Sequence, residues 1–176
     1  MKIIDMDLQT LFKQIKKPTA NPGGGATIII IAAMAVNLIR MMDNVSHETL
    51  DQISERMEEL IQEDVNKARI LIDQYKKGPR VDDKYFIEAA GPQMELVELC
   101  IKALDSIGIF LKKGKIYTLS DGIIANNLLF ESVKNAMPTI RINLEPIGRK
   151  YPYEEKLDQA EKIYNKNLEI IEGRKQ

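Results

Sequence analysis

The chain has 176 residues, 44% of them hydrophobic and 29% charged, with a formal net charge of -1. That balance suits one globular domain with a sizeable core, and a near-neutral chain has no general attraction for nucleic acid or an anionic membrane. The only cysteine, Cys100, excludes an intrachain disulfide and fits a cytoplasmic location; with one histidine beside it, the usual structural zinc sites are excluded too.

The opening Met1-Lys2-Ile3-Ile4-Asp5 lacks a signal-peptide layout. Leu8, Leu11, Phe12 and Ile15 mark a short first helix, with Asp7 near its start and Lys16-Lys17-Pro18 closing it. Then comes Asn21-Pro22-Gly23-Gly24-Gly25-Ala26. Three consecutive glycines are costly to order, so such a run is kept where backbone must approach something closely or adopt unusual angles. Here it leads into a helix, whose first N–H groups are free and whose dipole is positive at that end. The place suits a carboxylate, a phosphate or a polarised carbonyl, and it equally suits a tight turn packed against a neighbouring helix. The run matches neither a Walker loop nor a dinucleotide fingerprint, so it names no ligand.

The helix that follows spans about Ala26 to Met42 and is apolar nearly all round, which predicts burial on most sides. Ile28 to Ile31 are β-branched, but Ala32-Ala33-Met34-Ala35 and the length of the run favour helix. The run is short for a bilayer and contains Asn37, so it reads as a core helix. Ser46 is a candidate N-cap for the next helix, whose stripe runs Ile53, Met57, Leu60, Ile61, Ala68, Leu71, Ile72, Tyr75 and stops at Lys76-Lys77-Gly78-Pro79. Residues 80–90 read as a loop or a short helix. Gly91-Pro92 opens a helix carrying Met94, Val97, Ile101, Leu104, Ile107 and Phe110, ending at Lys112-Lys113-Gly114. Ser120-Asp121 caps another that runs to Leu144, with a kink expected at Pro138. Leu157, Ala160, Ile163, Tyr164, Leu168 and Ile171 mark the last. The prediction is an all-α bundle of five or six helices around a buried central apolar helix, in a single domain spanning 1–176.

The lysine pairs 16/17, 76/77 and 112/113 sit at predicted helix C-termini, where they complement the dipole; the sharper reading gives one of them an acidic ligand tail. The helix after Ser120-Asp121 carries Asn126, Asn127, Asn135, Arg141 and Asn143. Asparagine is a poor helix former. Asn126 and Asn127 cannot face the same way, so one of them is expected to point inward and to need partners. Asp121 reads first as a capping residue and second as a carboxylate at a pocket rim, able to relay a proton. Asp64 reads as a solvated flank residue, His47 as a surface residue in a turn, and Tyr85 and Tyr117 as core or rim.

Two blocks carry a resemblance. The segment Leu8 to Met42, with Thr19-Ala20-Asn21-Pro22-Gly23-Gly24-Gly25-Ala26 at its centre, resembles the start of the cyclodeaminase/cyclohydrolase family. That family includes the C-terminal domain of formiminotransferase-cyclodeaminase and the stand-alone methenyltetrahydrofolate cyclohydrolases. Leu119-Ser120-Asp121-Gly122 and the later Ile140-Arg141-Ile142-Asn143-Leu144 resemble its second block, in the same order and at a similar separation. The resemblance implies an all-helical homodimer that binds a tetrahydrofolate derivative as substrate and uses no metal. It implies one of two reactions: closure of 5-formiminotetrahydrofolate to 5,10-methenyltetrahydrofolate with loss of ammonia, or hydrolytic opening of 5,10-methenyltetrahydrofolate to 10-formyltetrahydrofolate. The hydrolysis is favoured by a chain standing without a formiminotransferase domain. The resemblance also implies that the N–H groups of Gly23, Gly24, Gly25 and Ala26 contact the ligand, that Asp121 with Ser120 handles protons or orients the pterin, and that Arg141 and Asn143 support the site or the dimer contact. The family's serine after the glycines is Ala26 here, its small residues in the next turn are Ile28 to Ile31, its Asn-Pro-Asn loop is Lys115-Ile116-Tyr117, and its aromatic after Asp64 is replaced by Ala68 and Arg69. If Ile28 to Ile31 fill the space beside Gly24 and Asp121, the alternative gains: a non-catalytic helical dimer of the same fold that binds a folate-like acid or a protein partner.

Overall fold

Local capping and apolar spacing divide the described residues into six α-helices: α1 (Leu8–Ile15), α2 (Gly24–Met41), α3 (Glu48–Lys77), α4 (Asp83–Lys113), α5 (Leu119–Leu144) and α6 (Tyr153–Arg174). They come from a computed structural model that describes residues 2–19, 21–42 and 47–174. Among the described residues there is no strand, and the predicted all-α bundle is the architecture observed. Asp7 starts α1 by accepting the Thr10 N–H at 2.8 Å. The candidate cap Ser46 lies outside the described residues; Glu48 and Asp51 stand in the first turn of α3, where their charge suits the dipole. His47, ahead of them, is half-buried edge-on against Phe110 at 5.3 Å rather than free on the surface.

Two boundaries differ from the sequence expectation. The fourth helix starts at Asp83, well before Gly91-Pro92, and carries Pro92 inside it. Asp82 caps it through the Lys84 N–H at 2.9 Å. Phe86 and Ala89 of the added turns are buried against Leu71 of α3. A good cap and burial outweigh the single hydrogen bond that proline removes. The fifth helix begins at Leu119, one residue before Ser120, and Thr118 holds the cap position without a side-chain cap. Ser120 and Asp121 therefore lie in the first turn, and Asp121 complements the dipole rather than capping.

α2 lies between α3 and α5, and α4 and α6 close the far side. By length and composition α2 could cross a membrane, with 18 residues of mean hydropathy 1.8. In this fold its inner face is core: Ile29, Val36 and Ile39 are fully buried with Leu96, Leu104, Ile107 and Leu129. Its outer row is not covered: Ile31, Met34 and Met41 are 38%, 51% and 60% exposed. Arg56 fixes α3 against α4 by gripping Glu95 through Nε at 2.6 Å and Nη2 at 2.8 Å. Lys67 reaches Glu88 at 2.9 Å further along the same pair of helices.

Asn126 is the inward member of its pair and Asn127 the outward one. Asn167 Nδ2 donates to Asn126 Oδ1 at 2.9 Å and to the Leu104 carbonyl at 2.9 Å, tying α6 to α5 and α4. Both acceptors are buried. Asn167→Ala is expected to leave Asn126 Oδ1 without a partner, the Leu104 carbonyl keeping its bond within α4, and to cost about 1–3 kcal/mol, read as a lower urea midpoint with an unchanged slope. Arg174 completes the attachment of α6, donating to the Leu111 and Gly114 carbonyls at the end of α4.

Candidate functional site

α2 begins with no side-chain cap: Gly23 is extended at the cap position, and Gly24 and Gly25 form the first turn. A carboxylate from another helix stands near this end: the Ala26 backbone N–H acts on Asp64 of α3 and favours its charged form, and Gln93 Nε2 of α4 donates to Asp64 Oδ1 at 2.7 Å. A Cβ on Gly25 would stand 2.6 and 2.7 Å from the two Asp64 oxygens and 2.8 Å from Gln93 Nε2. The middle of the glycine run is thus a close-approach position, and no larger residue fits. Gly24 has open space where a Cβ would go.

Asp64 is only 8% exposed and Gln93 is fully buried. Burial raises the Asp64 pKa above the ordinary carboxylate value; the Gln93 amide and the Ala26 N–H oppose the shift without cancelling it. Gln93 Oε1 is buried and has no hydrogen-bond partner among the described residues. Beside the pair lies a cavity of about 230 Å³. Gly23, Gly24, Gly25 and Asp64 form one side, Thr139 and Asn143 of α5 face it, and Ala68 and Ala89 keep the walls short. Through Gly23, Gly24 and Ile72 the cavity adjoins a larger groove of about 1300 Å³ between α2 and α5, with Lys17 and Lys76 also lining it.

The isoleucine run does not plug this space. A helix turns about 100° per residue, so Ile29 points into the core while Ile28 and Ile31 line the groove. The arrangement offers a buried carboxyl that holds its proton more readily than usual, next to the positive end of a helix. That combination can pass a proton to a substrate nitrogen while N–H dipoles favour charge developing nearby.

The model of the formiminotransferase-cyclodeaminase family matches residues 7–162. The chain belongs to this family. The solved structure of formiminotetrahydrofolate cyclodeaminase from Thermotoga maritima has the same fold, with a TM-score of 0.85 at 19% identity over 99% of this chain and 100% of that one. No curated protein matches the sequence.

Within this cyclodeaminase-family bundle the predicted site residues are dispersed. Gly23, Gly24, Gly25 and Asn143 line one cavity. Ala26 joins through its backbone, its side chain being fully buried. Asn143 Nδ2 is taken by the Thr139 carbonyl at 2.9 Å, which leaves Oδ1 for a ligand. Arg141 points elsewhere, over the Tyr153 ring at 5.0 Å and towards Glu145 at 3.4 Å. Ser120 and Asp121 lie at the opposite end of α2, since a Cβ on Gly122 would meet Met42 Sδ at 2.5 Å and Thr118 Oγ1 donates to the Met42 carbonyl at 3.5 Å. With 18 residues in α2, that end is roughly 27 Å from the glycine turn, so one chain alone does not bring the two groups together.

Asp64 corrects the solvated-flank reading. It falls between Leu60, Ile61 and Ala68, Leu71 at helical spacing, on the buried side of α3, and that position in the stripe is the signal for an inward acid. Gln93 carries the same signal, set between Ala89 and Val97 on the buried side of α4. Tyr117 is well exposed rather than core.

Proposed function

We propose that this chain binds a reduced folate at the glycine turn and moves protons at its one-carbon unit, with Asp64 as the acid–base group. The observation that carries the reading is the buried Asp64 carboxyl, held by Gln93 and by the first turn of α2 beside an open cavity. In cyclodeamination, N10 of 5-formiminotetrahydrofolate adds to the formimino carbon to give a tetrahedral adduct. The carbon–nitrogen bond to the former imino group then breaks. That nitrogen leaves as ammonia after taking up a proton, and 5,10-methenyltetrahydrofolate remains. A carboxyl that stays protonated more readily than usual supplies that proton.

Cyclohydrolysis is the second reading. Water adds to the methenyl carbon, the carbon–N5 bond breaks, N5 is protonated and 10-formyltetrahydrofolate forms. It needs the same group first as base and then as acid, and both reactions pass through one kind of adduct. A chain without a formiminotransferase domain is no argument for the hydrolysis, because the Thermotoga maritima protein named as a cyclodeaminase is matched end to end by this chain. The reading includes a cytoplasmic homodimer.

Calorimetric titration with 5-formyltetrahydrofolate, a ligand that carries the one-carbon unit in unreactive form, tests the binding site. Micromolar affinity that falls at least tenfold in Asn143→Ala is expected. No heat at millimolar ligand would remove the folate reading. Binding without turnover of either substrate would leave a non-catalytic folate-binding bundle.

A further inference from the structure

Gln93 is fully buried in α4, and only one end of its amide is used. Nε2 donates to Asp64 Oδ1 at 2.7 Å. Oε1, at the other end, is buried and has no hydrogen-bond partner among the described residues. A buried amide with an empty acceptor is costly. Leucine or methionine would fill the same space without that cost, so packing alone does not account for a glutamine here. Gln93 does not line the cavity, whereas Asp64 does. The amide therefore stands behind the carboxyl rather than beside a ligand. Gly25 makes the arrangement possible, because a Cβ there would collide with both Asp64 oxygens and with Gln93 Nε2.

We infer that Gln93 is a positioning residue that stabilises the Asp64 carboxylate as Asp64 gives up its proton. An N–H donor on Oδ1 favours that oxygen as the carbonyl of the neutral acid and leaves Oδ2 to carry the proton. When the proton leaves, the O–H electron pair stays behind and a negative charge forms in a place almost without water. The same N–H then faces a carboxylate, and a charge-assisted hydrogen bond is about twice as strong as a neutral one. The bond tightens as the proton departs, and an interaction stronger in the transition state than in the ground state accelerates the step. Burial alone pulls the other way, because it holds the proton on Asp64; the Gln93 amide is the side chain that opposes it. Among the described residues Asp64 has no ion pair to share the task. α2 presents Gly25 and Ala26 to it, α4 presents Gln93, and α5 presents Thr139 and Asn143 across the cavity; none of these side chains titrates. The charged neighbours in α3, Glu63 and Lys67, are tied to Arg56 and Glu88. That the proton goes to the departing nitrogen of a one-carbon unit rests on the proposed folate chemistry; the support of the carboxylate by Gln93 does not.

The wild-type protein tests this without any substrate. In protein uniformly labelled with ¹³C and ¹⁵N, the Asp64 carboxyl carbon and the Gln93 side-chain amide are assigned through their backbone correlations and followed by NMR as pH rises. One Gln93 Nε2 proton is expected to move downfield with the same midpoint as the Asp64 carbon. A Gln93 amide that does not respond to the Asp64 titration would overturn the inference, and this measurement stands whether or not a variant folds. Gln93→Met keeps the length of the side chain and removes the donor. In that variant the Asp64 midpoint is expected to move further up, since burial is no longer opposed by the amide. An unchanged or lower midpoint would overturn the inference as well.

Kinetics test the use of the pair. Gln93→Met is expected to lower kcat by roughly 10- to 100-fold on whichever folate substrate the wild type turns over, with KM little changed, because the lost bond matters most in the transition state. The falling limb of its pH–rate profile is expected to move to higher pH together with the Asp64 midpoint, a change that a merely structural side chain would not produce. A raised KM with kcat intact would mean that Gln93 only shapes the cavity and would overturn the inference, as would a wild-type kcat. A wild-type protein with no folate turnover would overturn the proposed function and the catalytic use of the pair, and leave the NMR titration to decide whether Gln93 supports the carboxylate.

Discussion

Gly25→Ala is expected to cost about 2–3 kcal/mol of stability and to abolish folate binding, while Gly24→Ala, one residue away, is expected to leave stability unchanged or raise it by up to about 1 kcal/mol. The two substitutions add the same methyl group to the same helical turn, so helix propensity favours both. What separates them is the neighbour. At Gly25 the methyl meets Asp64 and Gln93 at 2.6–2.8 Å. These are buried polar atoms bonded to each other. Moving them breaks the bond from Gln93 and leaves a buried carboxylate without that partner. At Gly24 the methyl meets nothing within 4 Å, although it enters the wall of the cavity and should weaken a ligand there. Urea unfolding of the two variants beside wild type measures the contrast. Equal stability losses would mean that the glycine run serves only the turn.

Asp64→Asn is expected to lower folate turnover by about 10²–10⁴-fold, the usual worth of a positioned acid–base group, and at the same time to stabilise the fold by on the order of 1 kcal/mol at neutral pH, a Tm rise of a few degrees. The sign follows from burial. The folded-state pKa of Asp64 lies above its unfolded value, so the folded chain holds this proton more tightly than the unfolded chain does. The associated stability is fully present below the unfolded pKa and is lost as pH rises through the folded one. Asparagine does not titrate and keeps the protonated carboxyl's shape. Its amide can also donate to Gln93 Oε1, the buried acceptor that now lacks a partner. Thermal melts at pH 4 and pH 8 therefore separate the curves: the variant's advantage is small in acid and larger at pH 8. A variant less stable at both pH values would mean that Asp64 is a structural cap for α2 and not a group held ready for chemistry. The opposition of stability and activity at one residue is the pattern of a working site.

The elements were readable where an apolar stripe and a cap agreed, as in α1 with Asp7 and in the long stripe of α3. They were misread where a strong local signal met a stronger tertiary one. Pro92 looks like a helix start, yet Asp82 and the burial of Phe86 carry the helix about two turns further back. The same holds at the site. Three glycines in a row announce a close approach, but what approaches comes from residues 39 and 68 positions further on, on two other helices. Nothing in the local sequence pairs Gly25 with Asp64 and Gln93. Both polar residues were visible as breaks in apolar stripes, and an acid in that position is informative because burying it costs so much. Asp121 shows the reverse case. Its sequence context suggested chemistry, and the fold of one chain sets it beside Met42, a helix length from the glycines. Ile28 to Ile31 show how a run of four similar residues divides: helical rotation sends Ile29 into the core and Ile31 to the surface.

The central claim is that one-carbon chemistry on a reduced folate runs at Asp64 beside the glycine turn. Initial rates of ammonia release from 5-formiminotetrahydrofolate, and of methenyltetrahydrofolate disappearance, test it most directly when wild type and Asp64→Asn are compared at saturating substrate. The account predicts turnover of at least one substrate by wild type and a loss of 100-fold or more in the variant, with the variant still folded. Equal rates in the two proteins would contradict it.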